Sequence, residues 1–146
     1  MSTYLDTGVL GKVYCAESDS AKAIETVAAC RLPWIYTAWQ ELELANALRL
    51  KVFRKELTEA QRRTAMGRLA QDITSGVLVR TDLDPAAVFR LAETLSSQWT
   101  PSIGCRMLDI LHVAAAKAIG SRKFVSFDQR QGALAKHAGL RVRGLP

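Results

Sequence analysis

The sequence predicts an α/β domain built on a central, mostly parallel sheet of four to five strands, with helices covering both faces. Three observations carry this expectation. Short apolar runs of strand character alternate along the chain with stretches of helical spacing. Two of those runs, Thr3-Tyr4-Leu5 and Phe124-Val125-Ser126-Phe127, open directly onto an aspartate, at Asp6 and Asp128. The 146 residues, 49% of them hydrophobic, suit one core, so residues 1–146 are read as a single domain.

Taken in order, Thr3 to Leu5 is the first strand and Val9 to Tyr14 has helix-compatible spacing. Ser18 or Ser20 is placed to cap a second helix that runs to about Cys30, where Leu32-Pro33 stops it. Trp34-Ile35-Tyr36-Thr37, aromatic and β-branched, reads as a buried strand. Ala38 to about Lys55 contains good helix formers and neither Gly nor Pro. Thr58 and Gln61 form a capping-box pattern that opens a helix ending near Gly76.

Val77-Leu78-Val79 is the third strand, and Asp84-Pro85 gives an N-cap followed by proline at the first helical position, with the helix continuing to about Trp99. Thr100-Pro101-Ser102-Ile103-Gly104 is expected to be a loop. Arg106 to Ile119 is helical, with Leu108, Leu111, Ala115 and Ile119 as its apolar stripe. Phe124 to Phe127 is the fourth strand, Gln129 to His137 a short helix, and Leu140-Arg141-Val142 a last strand.

Composition excludes several function classes. Three cysteines, Cys15, Cys30 and Cys105, with no Cys-x-x-Cys and no histidine at metal spacing, argue against a disulfide framework or a zinc site and for a reducing compartment. No run approaches the ~18 apolar residues of a membrane span, and no leader-like segment opens the chain, so a cytoplasmic location is expected. Twenty Lys and Arg against fourteen Asp and Glu give a formal charge of +6, compatible with a polyanionic partner, although basic runs such as Arg49 to Arg63 usually form solvated helix faces.

The chemistry is carried by acids. Asp6 and Asp128 follow strands and so fall at the carboxyl end of a parallel sheet, where open α/β sheets bind ligands. Asp109 lies in the first turn of its helix and Glu43 in the second turn of the helix after Trp34 to Thr37, near the same rim. Converging carboxylates repel one another unless a cation neutralises them. Oxygen ligands of this kind suit Mg²⁺ or Mn²⁺, and such ions support displacement at phosphodiesters.

Each acid also has a simpler use: Asp6 in a turn, Asp128 as an N-cap, Asp109 favouring a helix dipole. Periodicity does not choose between Glu43 and Glu41.

Four blocks, Tyr4-Leu5-Asp6-Thr7, Glu43 to Leu48, Arg106 to Ala114 and Phe124 to Asp128, together resemble PIN-domain ribonucleases, specifically VapC-type toxins of toxin–antitoxin pairs. The resemblance extends over essentially the whole chain. It implies a three-layer α/β/α PIN-like domain that cleaves RNA endonucleolytically, with Asp6, Glu43, Asp109 and Asp128 as the acidic quartet binding Mg²⁺ or Mn²⁺. The family pattern favours Glu43 over Glu41. Thr7 and Ser126 match positions where the family often has a hydroxyl, which would orient a carboxylate or a water. Arg106 would contact a scissile phosphate or pair with Asp109. A homodimer is implied, as is a cognate antitoxin laid across basic, partly apolar helices between Ala38 and Gly76.

His112 reads as a satisfied, partly buried histidine rather than a general base, and Trp34, Trp39 and Trp99 as core or interface. A single Asp-Thr-Gly in a mostly helical chain does not fit an aspartic protease. A haloacid-dehalogenase-like phosphatase needs an acid two residues after Asp6, where Gly8 stands. A catalytically silent module that binds RNA or protein is the remaining alternative.

Overall fold

The computed structural model describes residues 2–144. Its elements follow one another as β1 (Thr3–Leu5), α1 (Thr7–Tyr14), α2 (Ser20–Ala28), β2 (Trp34–Tyr36), α3 (Ala38–Phe53), α4 (Glu59–Thr74), β3 (Leu78–Arg80), α5 (Pro85–Ile103), α6 (Met107–Ala118), β4 (Lys123–Val125), α7 (Gln129–His137) and β5 (Arg141–Arg143). The five strands form one sheet in the order β3-β2-β1-β4-β5, with every pairing parallel. Among the described residues no helix is long and apolar enough to cross a membrane.

Strand periodicity explains the three layers. Successive side chains point to opposite faces, so Tyr4 and Phe124 enter one core with Val88, Leu95, Val113 and Leu134 from α5, α6 and α7. Their neighbours Leu5 and Val125 enter the other, with Val9, Leu44, Leu48 and Leu69 from α1, α3 and α4. Both faces of the central strands are therefore apolar, which is why these runs do not alternate with polar residues.

The helices begin where the sequence places caps. Thr37 and Thr58 each close a capping box, with Gln40 and Gln61 respectively, and Asp84 accepts from Ala86 N ahead of Pro85.

Four expectations need correction. The segment Thr100 to Gly104 is not a loop: α5 runs to Ile103, because Pro101 removes only one backbone donor near the helix end, and termination comes from Gly104 at φ 73°. Neither Ser18 nor Ser20 caps α2; the Ser20 hydroxyl instead accepts from Glu17 N at 2.8 Å, the cap position falls to Asp19, and the helix ends at Ala28. Leu108 is 53% exposed, so the buried face of α6 is formed by Ile110, Val113 and Ala114 with Ala115. The fourth strand ends at Val125, which frees Ser126 for side-chain contacts.

Candidate active site

The strand order reverses between β1 and β4: the chain leaves β1 for β2 on one side and later returns to β4 on the other. A crevice forms outside the carboxyl ends of strands at such a switch point. Asp6 lies at the end of β1 and Asp128 three residues past the end of β4, so the two acids flank it. Each also caps a helix. Asp6 Oδ2 accepts from Gly8 N at 3.1 Å, and Asp128 Oδ1 from Gln131 N at 2.9 Å. The simpler uses of these acids are therefore real, and they fix the carboxylates without consuming all of their oxygens.

Glu43 projects from α3 towards α6, where its Oε2 lies 2.5 Å from His112 Nε2. Glu41 points elsewhere, into an exposed pair with Arg80. His112 is 2% exposed; its Nδ1 lies 2.7 Å from the Tyr4 hydroxyl and its Nε2 3.4 Å from Thr7 Oγ1. Burial holds the Tyr4 phenol protonated far above its ordinary range, and its hydrogen bond to Nδ1 anchors the ring with Nε2 turned to Glu43. Burial pulls the imidazole pKa down, but the hydrogen bond to Glu43 and the charges of Asp6, Glu43 and Asp109 outweigh it and leave it raised.

Burial raises the Asp6 pKa, an effect opposed by His112 and by the donors Gln131 and Gly8 and reinforced by Glu43.

Asp109, in the first turn of α6, is paired with Arg106 at 3.4 Å. That guanidinium is 83% exposed and remains accessible from solvent. Asp109 and Asp128 share a cavity of about 360 Å³ with Gly104, Arg106, Gln129 and Arg130. Asp6, Glu43 and Asp109 thus surround His112, while Asp128 stands beside Asp109 on the other side.

A hard divalent cation fits the donor chemistry. Asp6 is a half-buried carboxylate whose hydrogen bonds come from neutral N–H groups, and among the described residues it pairs with no Lys or Arg. The four acids do not form a closed cage, because among the described residues no three His, Cys, Asp or Glu side chains stand close enough to hold one ion. One or two carboxylates, with waters and a substrate phosphate, are the usual Mg²⁺ complement.

No protein-family model matches the chain, and no curated protein is detectably similar to it in sequence. Solved structures match it in fold. VapBC2 from Rickettsia felis, crystallised bound to a DNA fragment from its promoter, matches with a TM-score of 0.65 at 14% identity, over 99% of this chain and 98% of that one. FitAcB from Neisseria gonorrhoeae matches with a TM-score of 0.67 at 18% identity, over 96% and 95%. The fold is PIN-like. At this level of identity the likeness concerns the path of the chain, and the site rests on the side chains described above.

The roles of three residues at the centre of this site escape sequence reading. Gln131, 1% exposed, donates from Nε2 to Asp6 Oδ1 at 3.1 Å and to the Asp109 carbonyl at 3.4 Å. Tyr4 and His112 orient Glu43, although His112 is a satisfied, buried histidine as expected. Gln131 offers one signal: it is a glutamine three residues after an N-cap, a position that ordinarily turns back on the cap.

Proposed function

We propose that this domain is a metal-dependent endoribonuclease and the toxin of a type II toxin–antitoxin pair. The observation that carries this reading is Asp6: a half-buried carboxylate at the switch point, near enough to Glu43 to feel its charge and, among the described residues, paired with no Lys or Arg, with Asp109 and Asp128 on the same rim. Such a group is poised for a cation from solution. The resemblance of four sequence blocks to VapC-type toxins and the PIN-like path of the chain support the same conclusion.

Mg²⁺ or Mn²⁺, when bound, would polarise the phosphodiester and activate a water. Asp6 and Glu43 would hold it, with Asp109 and Asp128 completing the acidic rim through waters. His112 keeps Glu43 turned into the crevice. Thr7, against His112, and Ser126, against Gln131, hold the polar lining in place. Arg106, mostly exposed at the mouth, is placed to meet a phosphate of the RNA strand.

A cognate antitoxin and a second copy of the chain are the proposed protein partners. Support comes from apolar side chains left in solvent: Phe53, 84% exposed at the end of α3, and an apolar groove of about 550 Å³ beside Glu43 that includes Leu42, Phe89, Met107 and Leu108. Patches of this kind mark association surfaces.

One observation favours a second reading, a silent RNA- or protein-binding module: among the described residues no three acids close on one point. The same experiment decides between them. Purified, antitoxin-free protein is incubated with total RNA and Mg²⁺, Mn²⁺ or EDTA, alongside Asp6→Asn. Discrete fragments that require both metal and Asp6 establish the nuclease, and intact RNA from folded protein favours the binding module.

A further inference from the structure

Three helices of this chain carry glutamine at the third helical position, and one of them breaks the local rule. In α3 and α4 the glutamine turns back to its own cap: Gln40 Oε1 accepts from Thr37 N at 2.7 Å, and Gln61 Oε1 from Thr58 N at 2.9 Å. In α7 the corresponding cap N–H, that of Asp128, is taken by Ser126 Oγ at 3.1 Å. Gln131 is thereby released from the cap and reaches across the sheet edge to Asp6.

The direction of each bond is fixed by its partners. Ser126 Oγ receives the Asp128 N–H and therefore donates its own proton to Gln131 Oε1, 2.6 Å away. With the amide oxygen so occupied, Nε2 must face the acceptors Asp6 Oδ1 and Asp109 O. The result is an ordered chain from Asp128 through Ser126 and Gln131 to Asp6, which also touches the first turn of α6. Every link is buried or partly buried, where such bonds hold geometry most firmly.

We propose that Gln131 is a positioning residue that fixes Asp6 against Asp109 and Asp128, with Ser126 acting as the switch that diverts it from capping its own helix. The inference rests on the nuclease reading, and the test separates the two. Mn²⁺ is titrated calorimetrically into the full chain and into Gln131→Met and Ser126→Ala, each shown to be folded by circular dichroism, with cleavage of an RNA oligonucleotide followed in parallel.

Removing the outer partners of a metal ligand costs about 10–100-fold in affinity or activity. Gln131→Met is expected to weaken Mn²⁺ binding by at least about tenfold and to lower kcat while leaving the RNA KM in place. Ser126→Ala frees the Asp128 N–H, so Gln131 is expected to fold back into a capping box; α7 stays formed and Mn²⁺ affinity drops as in Gln131→Met. A residue serving only as structural filling would move stability and not these readouts.

If Gln131→Met does not fold, Ser126→Ala decides alone. Wild-type affinity and kcat in folded variants, with the wild type binding Mn²⁺ and cutting RNA, overturn the positioning role and leave the nuclease standing. A wild type that neither binds Mn²⁺ nor cuts RNA overturns both.

Discussion

His112 Nε2 lies 2.5 Å from Glu43 Oε2, and this bond ties α6 to α3 across the mouth of the crevice. The imidazole is buried and anchored on its far side by Tyr4. It can therefore neither rotate towards a substrate nor exchange protons freely with solvent, and its role is to hold Glu43.

His112→Phe keeps an aromatic ring in place and removes the hydrogen bonds to Glu43, Tyr4 and Thr7. We expect activity and metal affinity to fall about 10–100-fold, as for loss of an outer partner of a metal ligand. Tyr4→Phe should produce a smaller loss in the same direction, because it releases only Nδ1. Cleavage rates and Mn²⁺ titrations of the two variants check this; an unaffected His112→Phe would show that Glu43 needs no help from His112.

Glu43 and Glu41 are two residues apart on one helix and have opposite environments. Glu41 pairs with Arg80 in solvent, where screening leaves such a pair little weight in stability. Glu41→Gln should leave cleavage unchanged and stability nearly so, whereas Glu43→Gln should cripple cleavage with little effect on the fold. The opposite result would move the acid to the other face of α3.

Asp6 gives the clearest coupling between function and stability. Burial raises its pKa, so the ionised form destabilises the folded state. For a carboxyl with a raised pKa, stability declines as pH rises from the ordinary carboxylate range through the folded value. Asp6→Asn removes that decline while retaining an acceptor for Gln131. We expect lost cleavage, a higher Tm at pH 7 in metal-free buffer, and no gain at pH 3; a lower Tm at pH 7 would contradict the burial argument.

Glu17 shows the opposite sign. Burial pushes its pKa up, but Lys51 at 2.9 Å and Lys12 at 3.2 Å outweigh this and hold it below its usual value. Its stabilising contribution is present above the unfolded carboxylate pKa and lost as pH falls through the folded one. Glu17→Gln should lower the urea midpoint at pH 7, corresponding to a loss of unfolding free energy of about 1 kcal/mol or less for each pair, and have little effect at pH 3.

The strands and most helices were legible because their signals are local: apolar runs of fixed length, Thr58 with Gln61, Asp84 with Pro85. Thr100 to Gly104 reads as a loop because proline near a helix end resembles proline in a loop, and only the packed length of α5 distinguishes them. Leu108 belongs to the apolar stripe of α6 and is nevertheless exposed, because periodicity gives a face without saying which way it points. Asp6 and Asp128 could be placed on one edge from strand parity alone. Gln131, which joins them, could not, since its partner Asp6 is 125 positions away in the chain.

Asp128 combines two roles that substitution can separate. Its Oδ1 caps α7 through Gln131 N, and its charge faces the cavity shared with Asp109 and Arg106. Asparagine caps helices about as well as aspartate, whereas alanine forfeits roughly 0.5–2 kcal/mol. Asp128→Asn should therefore preserve Tm and impair cleavage, and Asp128→Ala should lose both. The urea midpoints and cleavage rates of the two variants together test the assignment. If Asp128→Asn cleaves RNA at the wild-type rate, Asp128 is a cap alone, and the acidic rim consists of Asp6, Glu43 and Asp109.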